Sequence, residues 1–384
     1  MRILYHHRTA SKDGQAVHIE EMIDAMRALG HEVRVVAPLA DQDDGRMGGG
    51  VGWVHHLKAV LPKAMYEFME LAYSLVAYRK LMATAREFKP DLIYERYNLF
   101  LLAGLMVKRR LDVPLLLEVN APLVFERSQH SGGLALRTLA RWAEGKAWRG
   151  ADAVLPVTAV LAAHVRDYGV PAERIHVIPN GINRAHFAHA PSPAEAKASL
   201  GLQGRVVLGF TGFVRDWHGV DRIIDWMAGT DAPTDTHLLV VGDGPVRTEL
   251  QAQACRLGLG ERVTFTGVIH RDQVPAYVAA FDVALQPAVT PYASPLKLME
   301  YLVLGKAVIA PATPNLQEVL ADGLNALLFD EAQPGALEHV LQRVCSDSVL
   351  RGRLAQGAAD TIDRLELTWL GNARRALSLV QARG

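Results

Sequence analysis

The 384-residue chain carries 41 basic and 41 acidic side chains, and 50% of its residues are hydrophobic. This composition is typical of a folded protein and excludes a largely disordered chain, while the zero formal net charge excludes the broad positive field of a non-specific nucleic-acid binder. Two cysteines are too few for a disulfide framework, so we expect a cytoplasmic protein, and the length predicts two domains.

The first half of the chain alternates short β-rich runs with helical patterns. Residues 2–5 predict a strand, residues 17–29 predict a helix that Gly30 ends, and residues 32–37 predict a second strand. Such alternation is typical of a parallel sheet with helices on both faces. The pattern continues with predicted strands over 91–94 and 114–119 and a helix over 99–108 between them.

Residues 53–88 are rich in Met, aromatic, Leu and basic side chains. Apolar stripes of this kind usually face a core, so the segment predicts one or two core helices. The alternative is a helix that lies on a membrane or lines the site of a lipid-linked acceptor. A peripheral membrane contact is therefore left open, whereas no apolar stretch is long enough to predict a membrane span.

A second α/β series follows a predicted linker over residues 183–199, which contains Pro191 and Pro193. The sequence therefore predicts two doubly wound domains, one facing the other across a cleft, since ligands of such sheets bind at the carboxyl ends of the strands. The predicted strands of the second series cover residues 205–211, 237–241, 263–266, 283–286 and 307–310. The predicted domains cover 1–188 and 189–366, with a final helix over 367–384 packing back on the first domain.

Residues 294–310 carry the most informative pattern. Ser294 precedes Pro295, which is predicted to occupy the first position of an apolar helix. The free amides of that helix start, with Lys297 in its first turn, predict a site for an anion such as a diphosphate. Glu300, one turn later, can accept hydrogen bonds from a ribose diol. The alternatives are a lysine that reaches solvent and a simple Lys297–Glu300 ion pair on a solvated face.

Two glycine-rich loops follow predicted strands of the second domain. Residues 209–221 include Arg215 and His218, and such a loop can bring amides and a guanidinium to phosphate oxygens. Residues 240–247, which include Gly244, predict a turn that lines the cleft. Arg247 replaces the third glycine of a dinucleotide fingerprint, which argues against an NAD site. An ordinary strand–helix turn is the alternative for residues 209–221.

Several polar residues of the first domain follow predicted strands, at the edge where a cleft would open. They predict an acceptor site only by that position, and capping of a following helix or loop is the alternative. An acidic cluster over residues 41–44 lies in a glycine-rich stretch that predicts a solvated loop, so no metal site is predicted. The acceptor-side candidates are Asp13, Asn98, Glu118 and Asn120, beside Gly14 in a predicted turn.

Taken together, these ordered motifs resemble the retaining glycosyltransferases of the GT-B fold, of the family 4-like type. The resemblance implies an α/β protein of two Rossmann-like domains facing a central cleft. It implies that Glu300 holds the nucleotide ribose, that the backbone near Pro295 and Leu296 contacts the diphosphate, and that Gly14 lies close to a donor phosphate. The motifs are residues 30–33, 177–183, 240–245, 281–283 and 294–310, and the base would be read by the loop 266–269, which includes Ile269.

The chain departs from the family pattern at three positions. Tyr292 stands where the family has the first of two glutamates, and Phe213 and His218 stand where it has its usual Arg and Lys. We therefore assign the charge on the diphosphate to Arg215 and Lys297, with a contribution from His218 if it is protonated.

The implied reaction is a metal-independent transfer with retention, from a nucleotide-diphosphate sugar to a hydroxyl of a glycan, a glycolipid or a small molecule, with no cofactor. A sugar-nucleotide epimerase or a phosphorylase on the same fold is one alternative. A non-catalytic binding subunit is another, which the missing glutamate at Tyr292 keeps open.

Overall fold

The computed structural model describes residues 1–9, 14–38, 61–130 and 133–381, and its chain divides into two compact units. The first comprises Met1–Asn180, Tyr292–Ser294 and Trp369–Gly384, and the second comprises Gly181–Pro291 and Pro295–Thr368. The division after Asn180 precedes the predicted one after residue 188. The short segment Tyr292–Ser294 joins the first unit although it lies far away in sequence.

The first unit contains a parallel sheet of five strands in the order β2-β1-β3-β4-β5. Strands β3 and β4 are buried at every residue, as expected where helices cover both faces of a sheet. The chain adds β2 on one side of β1 and then β3, β4 and β5 on the other side, so the topological switch point lies between β1 and β3. In the parallel β1–β3 pair, Leu4 lies opposite Ile93. The strands are β1 Arg2–His6, β2 Glu32–Val36, β3 Leu92–Arg96, β4 Leu115–Val119 and β5 Ala153–Pro156.

Five helices connect these strands within the described residues of the first unit, and a sixth follows β5. The first helix begins at Gly14, three residues before the predicted start, so Gly14 opens a helix where a turn was predicted. The helices are α1 Gly14–Ala28, α2 Lys63–Phe88, α3 Ala103–Leu111, α4 Leu123–His130, α5 Arg137–Gly150 and α6 Ala159–Asp167.

The predicted linker over residues 183–199 is wrong, because two short helices of the second unit lie in it. Its prolines do not exclude helix, since Pro193 occupies the first helical position, where its missing N–H is not needed. The hydroxyl of Ser192 accepts the backbone N–H of Glu195, whose carboxylate accepts the N–H of Ser192 in return. These helices are α7 Arg184–Phe187 and α8 Pro193–Ser199.

The second unit contains six parallel strands in the order β11-β10-β9-β6-β7-β8. Strand β6 is central, with β7 on one side and β9 on the other. The strands are β6 Val206–Thr211, β7 Thr236–Val241, β8 Val263–Phe265, β9 Val283–Leu285, β10 Ala307–Pro311 and β11 Ala326–Phe329. The helices are α9 Val220–Ala228, α10 Arg247–Arg256, α11 Val274–Ala279, α12 Leu296–Val303, α13 Pro314–Gln317, α14 Ala336–Ser346 and α15 Ser348–Arg364; α16 Trp369–Gln381 returns to the first unit.

Candidate functional site

The carboxyl ends of β6 and β9 form the topological switch point of the second unit. The chain leaves β6 toward β7 and β8, whereas β9, β10 and β11 lie on the opposite side. Adjacent loops diverge at such a point and leave a crevice, which is where doubly wound sheets bind their ligands. The loop after β6 and the helix α12, which follows β9, therefore supply the side chains of the candidate site.

The hydroxyl of Tyr301, on α12, joins the ends of these two strands. It accepts the backbone N–H of Thr211, the last residue of β6, at 2.9 Å, and it lies 3.4 Å from the carbonyl oxygen of Leu285, the last residue of β9. Burial raises the pKa of Tyr301, so the hydroxyl stays protonated and can donate to that carbonyl. The second half of α12 is thereby fixed against the ends of both strands.

Lys297 places a buried ammonium in this crevice. Its Nζ lies 3.7 Å from the centroid of the Phe210 ring, and among the described residues it finds no hydrogen-bond acceptor. Burial lowers the pKa of Lys297 to about 7, against the opposing effect of Glu300. A buried donor without a partner is costly, so this ammonium is suited to an incoming anion.

Glu300 lies one turn after Lys297 on the same helix. Burial raises the pKa of its carboxyl group to about 7, while Lys297 and the hydroxyl of Thr211 lower it. That hydroxyl lies 3.4 Å from Oε2 of Glu300. The carboxyl group therefore changes charge close to neutral pH, and as a carboxylate it can accept hydrogen bonds from vicinal hydroxyls.

His218 does not supply a cation. Its Nδ1 accepts the backbone N–H of Arg215 at 3.0 Å, which leaves the proton of the neutral ring on Nε2. Burial, Lys297 and Arg215 lower the pKa of His218 to about 3. The expectation that His218 contributes charge if protonated is therefore not met near neutral pH, where the ring can only donate a neutral hydrogen bond.

Arg215 differs from Lys297 in its surroundings. Its side chain is exposed, and its guanidinium carbon lies 5.0 Å and 4.9 Å from the ring centroids of Phe213 and Trp217. It also lines a hollow of about 120 Å³ beside Glu249 on α10. Of the two cations assigned to the diphosphate, the ammonium of Lys297 is buried against the Phe210 ring, whereas the guanidinium of Arg215 packs on aromatic rings at the surface.

The loops after β6 and β7 pack backbone against backbone. Val214 donates its N–H to the carbonyl of Asp243 at 2.8 Å. A Cβ on Gly244 would overlap the carbonyl oxygen of Val214, and a Cβ on Gly242, whose φ is 135°, would overlap that of Gly212. Gly244 is thus required for this packing, which fixes the loop that carries Arg215 and His218.

The side chain of Thr266 holds the loop over residues 266–269 through two hydrogen bonds. The hydroxyl of Thr266 accepts the N–H of Gly242 at 3.1 Å and donates to the carbonyl of Gly267 at 2.8 Å. Ile269 is half-buried and packs against the core of the second unit. The backbone of this loop is thereby held next to the turn that follows β7.

The helix start differs from the prediction in one respect. Helix α12 begins at Leu296, and Pro295 is its N-cap with extended backbone, φ −70° and ψ 125°, and no side-chain cap. Pro295 was predicted to be the first residue of the helix, but it immediately precedes that residue. Ser294 belongs to the first unit, where its hydroxyl accepts the N–H of Asn180 at 3.2 Å.

In the first unit, Glu118 is a buried counter-ion. Its carboxylate lies 2.5 Å from Arg96 Nη1 and 2.9 Å from His18 Nε2, and it accepts the hydroxyl of Tyr94 at 2.9 Å. Burial alone would raise the pKa of Glu118, but His18 and Arg96 hold it below its usual range. With these partners inside the unit, Glu118 is not available as the acceptor ligand that its position after a strand predicted.

The other acceptor-side candidates make different contacts where the structure describes them. Asn120 donates its Nδ2 to Glu118 at 2.6 Å, so these two are brought together. The carbonyl of Asn98 accepts the N–H of Leu101 in a turn. Gly14 is exposed at the start of α1, and Asp13 and the acidic cluster over 41–44 lie outside the described residues.

Tyr292, which replaces the family's first glutamate, anchors its segment in the first unit. Its hydroxyl donates to Oε2 of Glu126 at 3.1 Å, and its carbonyl accepts the hydroxyl of Thr158 at 2.9 Å. Within the parts of the chain that the structure describes, no three His, Cys, Asp or Glu side chains are grouped to hold a metal ion. In those same parts, no helix has the length and apolar character to cross a membrane.

Two family profiles match the chain in succession. The Glycosyl transferase 4-like domain matches residues 13–181, and the Glycosyl transferases group 1 domain matches residues 193–361. The 2-deoxystreptamine glucosyltransferase of Streptomyces kanamyceticus is 30% identical over 263 residues, which cover 64% of this chain and 65% of that protein. The alpha-D-kanosaminyltransferase of the same organism is 26% identical over 66% of this chain and 67% of its own length. The chain thus matches about two thirds of the length of each relative.

Solved structures agree with the fold over the whole chain. HepE of Anabaena, in complex with UDP, superposes with a TM-score of 0.75 at 18% identity and covers 100% of both chains. Sucrose-phosphate synthase of Thermosynechococcus elongatus superposes with a TM-score of 0.78 at 20% identity, covering 100% of this chain and 99% of that one. With two Rossmann-like sheets and both family profiles in order, the chain belongs to the glycosyltransferases of the GT-B fold.

Proposed function

We propose that the chain transfers a sugar from a nucleotide-diphosphate sugar to a hydroxyl acceptor, with retention of the anomeric configuration and without a metal ion. One observation carries the proposal: the ammonium of Lys297 is buried without a hydrogen-bond acceptor, at the switch point where doubly wound sheets bind ligands. The relative HepE, solved with UDP and with UDP-glucose, supports a nucleotide sugar as donor.

The proposed catalysis consists of stabilising the negative charge that develops on the departing diphosphate. As the bond between the anomeric carbon and the diphosphate oxygen breaks, negative charge grows on the diphosphate, and Lys297 and the first amides of α12 stabilise it. The acceptor hydroxyl adds to the same face of the sugar and gives its proton to the departing phosphate oxygen, so no protein base takes part. Glu300 holds the ribose, and Arg215 adds its charge by leaving the rings of Phe213 and Trp217.

A bound diphosphate would also change Lys297 itself. A doubly or triply negative neighbour favours the charged form of the amine and would raise its pKa from about 7. The same anion satisfies the buried donor. The free energy spent on burying Lys297 in the empty protein is thus recovered when the donor binds.

The acceptor is a hydroxyl of a glycan, a glycolipid or a small molecule. The 2-deoxystreptamine glucosyltransferase of Streptomyces kanamyceticus, by its name, acts on 2-deoxystreptamine, which supports a small-molecule acceptor. An epimerase or phosphorylase would instead convert the donor without transferring its sugar to such a hydroxyl. Product analysis with donor alone and with a panel of acceptors separates these reactions.

The experiment compares Lys297→Met with Arg256→Met, an exposed cation of the same unit. A panel of nucleotide sugars is first tested for the donor that raises the melting temperature of the unaltered protein. With that donor and an acceptor, in the presence of a chelator, we expect Lys297→Met to lower kcat/KM about 100-fold or more. Undiminished transfer by Lys297→Met would reject the site, and transfer that stops on chelation would reject metal independence.

A further inference from the structure

The first half of α2 buries charged side chains and exposes apolar ones, the reverse of the usual arrangement. In the second half of this helix, Ala77, Leu81 and Phe88 are buried in the core of the first unit, as expected of an amphipathic helix. In the first half, carboxylates are buried and large apolar side chains face solvent. The helix therefore changes which kind of residue it presents to solvent about halfway along its length.

Specific partners hold the polar residues inside. Both carboxylate oxygens of Glu67 accept backbone N–H groups that precede α5, from Ala135 at 2.8 Å and Leu136 at 2.7 Å. Glu70 forms a bidentate ion pair with Arg127, whose Nη1 and Nη2 donate to the two carboxylate oxygens at 2.6 Å and 3.3 Å. Because rotating the helix would leave these charges without partners, its outer face cannot turn inward to bury the apolar side chains.

The outer face of α2 is a continuous apolar stripe. Its members recur at spacings of three and four residues, so they lie on one side of the helix. Phe68 is 61% exposed, Val76 58% and Leu75 56%. The outer stripe consists of Met65, Phe68, Met69, Ala72, Leu75 and Val76.

The charges around the outer stripe have one sign. Arg79 and Lys80 follow it at exposed positions on the same side of the helix, three and four residues after Val76, and Nζ of Lys80 donates to the carbonyl of Ala37 at 2.6 Å. Lys63 is also exposed, but it lies four and seven residues before Glu67 and Glu70 and so shares their side of the helix. Between residues 62 and 80 the only acidic side chains are Glu67 and Glu70, and both are buried. The surface of this half-helix therefore combines apolar and cationic groups without an exposed anion.

This combination fits an anionic lipid surface better than a second copy of the chain. Stable protein interfaces use about 20–30 residues on each side, which is far more than one stripe of six. A helix with apolar residues on one face and flanking basic residues lies in the plane of a bilayer interface, where the apolar groups enter and the cations meet lipid phosphates. Exposed clusters of this kind are otherwise disfavoured on soluble surfaces.

We propose that the outer stripe of α2 docks the protein on anionic membranes, with Phe68 and Leu75 inserted at the interface and Arg79 and Lys80 against the headgroups. The inference concerns a surface of the first unit and does not depend on the proposed transfer reaction. Membrane docking gives a function to the exposed apolar side chains of α2, which the inward contacts of Glu67 and Glu70 keep on the outer side of the helix.

Sedimentation with vesicles tests this proposal on the full chain. Vesicles of phosphatidylcholine and phosphatidylglycerol in equal parts are compared with phosphatidylcholine alone. We expect binding to the anionic vesicles that falls when salt is raised to about 1 M, where the Debye length is about 3 Å. We expect the double variant Phe68→Gln, Leu75→Gln to lower the vesicle partition coefficient at least tenfold.

A matched control replaces two exposed valines of the second unit, Val268→Gln and Val349→Gln, which are 59% and 81% exposed. This control should bind vesicles like the unaltered protein, and the variant Arg79→Gln, Lys80→Gln should bind less and lose its salt dependence. Equal melting temperatures exclude misfolding as the cause. Absence of vesicle binding, equal binding by the Phe68 and Leu75 variant, or a dimer that this variant dissociates would each overturn the proposal.

Discussion

The hydroxyl of Tyr301 accepts a 2.9 Å hydrogen bond from the backbone N–H of Thr211, although 90 residues separate the two in sequence. The same hydroxyl lies 3.3 Å from Oγ1 of Thr211, which in turn lies 3.4 Å from Oε2 of Glu300. One buried phenol thus fixes the end of β6 and, through Thr211, orients the carboxyl group of Glu300.

Replacing Tyr301 by Phe should disturb both the fold and the site. The ring still fills its space, but a buried N–H loses its acceptor, which lowers the free energy of unfolding by about 1–3 kcal/mol. Because Glu300 loses its orienting contact through Thr211, we expect KM for the donor to rise more than kcat falls. Chemical denaturation and steady-state kinetics measure the two effects.

The control for this variant is Tyr277→Phe on α11, which removes the hydroxyl of a half-buried tyrosine elsewhere in the same unit. It should leave KM for the donor unchanged. If Tyr301→Phe alters stability and leaves KM at the level of this control, the phenol holds the fold together and does not position Glu300.

The Lys297–Glu300 pair should give the empty protein a minimum of stability near pH 7. The pKa of Glu300 is raised to about 7 in the folded state, so its contribution is present at low pH and is lost as the pH rises from about 4.5 through 7. The pKa of Lys297 is lowered to about 7, so its contribution is lost as the pH falls from about 10.5 through 7. Near pH 7 the loss of hydration of the two charged forms therefore opposes folding most strongly.

Melting temperature against pH measures this minimum, as the difference between the unaltered protein and the double variant Lys297→Met, Glu300→Gln. That variant removes both titrations, so its difference curve isolates the pair. Nucleoside diphosphate should make the minimum shallower, because the anion stabilises the charged amine. A difference curve that is flat between pH 5 and 9 would show that neither group is desolvated as the structure indicates.

Sequence alone predicted the candidate site in part. Lys297 stood out because a cation at a helix N-terminus is unfavourable without an anion. The rest of the site was not predictable, since Phe210 reaches Lys297 and Thr211 reaches Glu300 from strand β6, and the sequence carries no sign of either contact. Alternating β-rich and helical runs predicted both sheets, but β5 and β11 were missed.

The errors have physical causes. Glu118 was placed at an acceptor site because it follows a strand, yet its partners Arg96 and His18 come from two other segments that fold next to it. The stripe on α2 was predicted to face a core, and its spacing is indeed helical. Its first half faces solvent because Glu67 and Glu70 find partners inside, a choice that periodicity cannot reveal.

Gly244→Ala should be strongly destabilising. The added Cβ would overlap the carbonyl oxygen of Val214, which is backbone and cannot turn away, so the loops after β6 and β7 must separate. Overpacking of this kind lowers the free energy of unfolding by about 1–3 kcal/mol. The control is Gly352→Ala in α15, where a Cβ meets open space; there we expect stabilisation by about 0.5–1 kcal/mol. Urea denaturation should give these opposite signs, and equal effects would contradict the close packing of the two loops.

Glu118→Gln should destabilise the first unit far more than an equivalent change at the surface. The substitution keeps the shape but removes the charge that pairs with Arg96 and His18, so a buried guanidinium is left uncompensated, which costs about 3–5 kcal/mol. Glu32→Gln is the matched control, because Glu32 is exposed and its ion pair with Arg2 at 3.3 Å contributes at most about 1 kcal/mol. Urea denaturation of both variants at neutral pH measures the difference. Similar losses in the two variants would mean that the Glu118 cluster is solvated, and would restore its carboxylate as a candidate ligand for the acceptor.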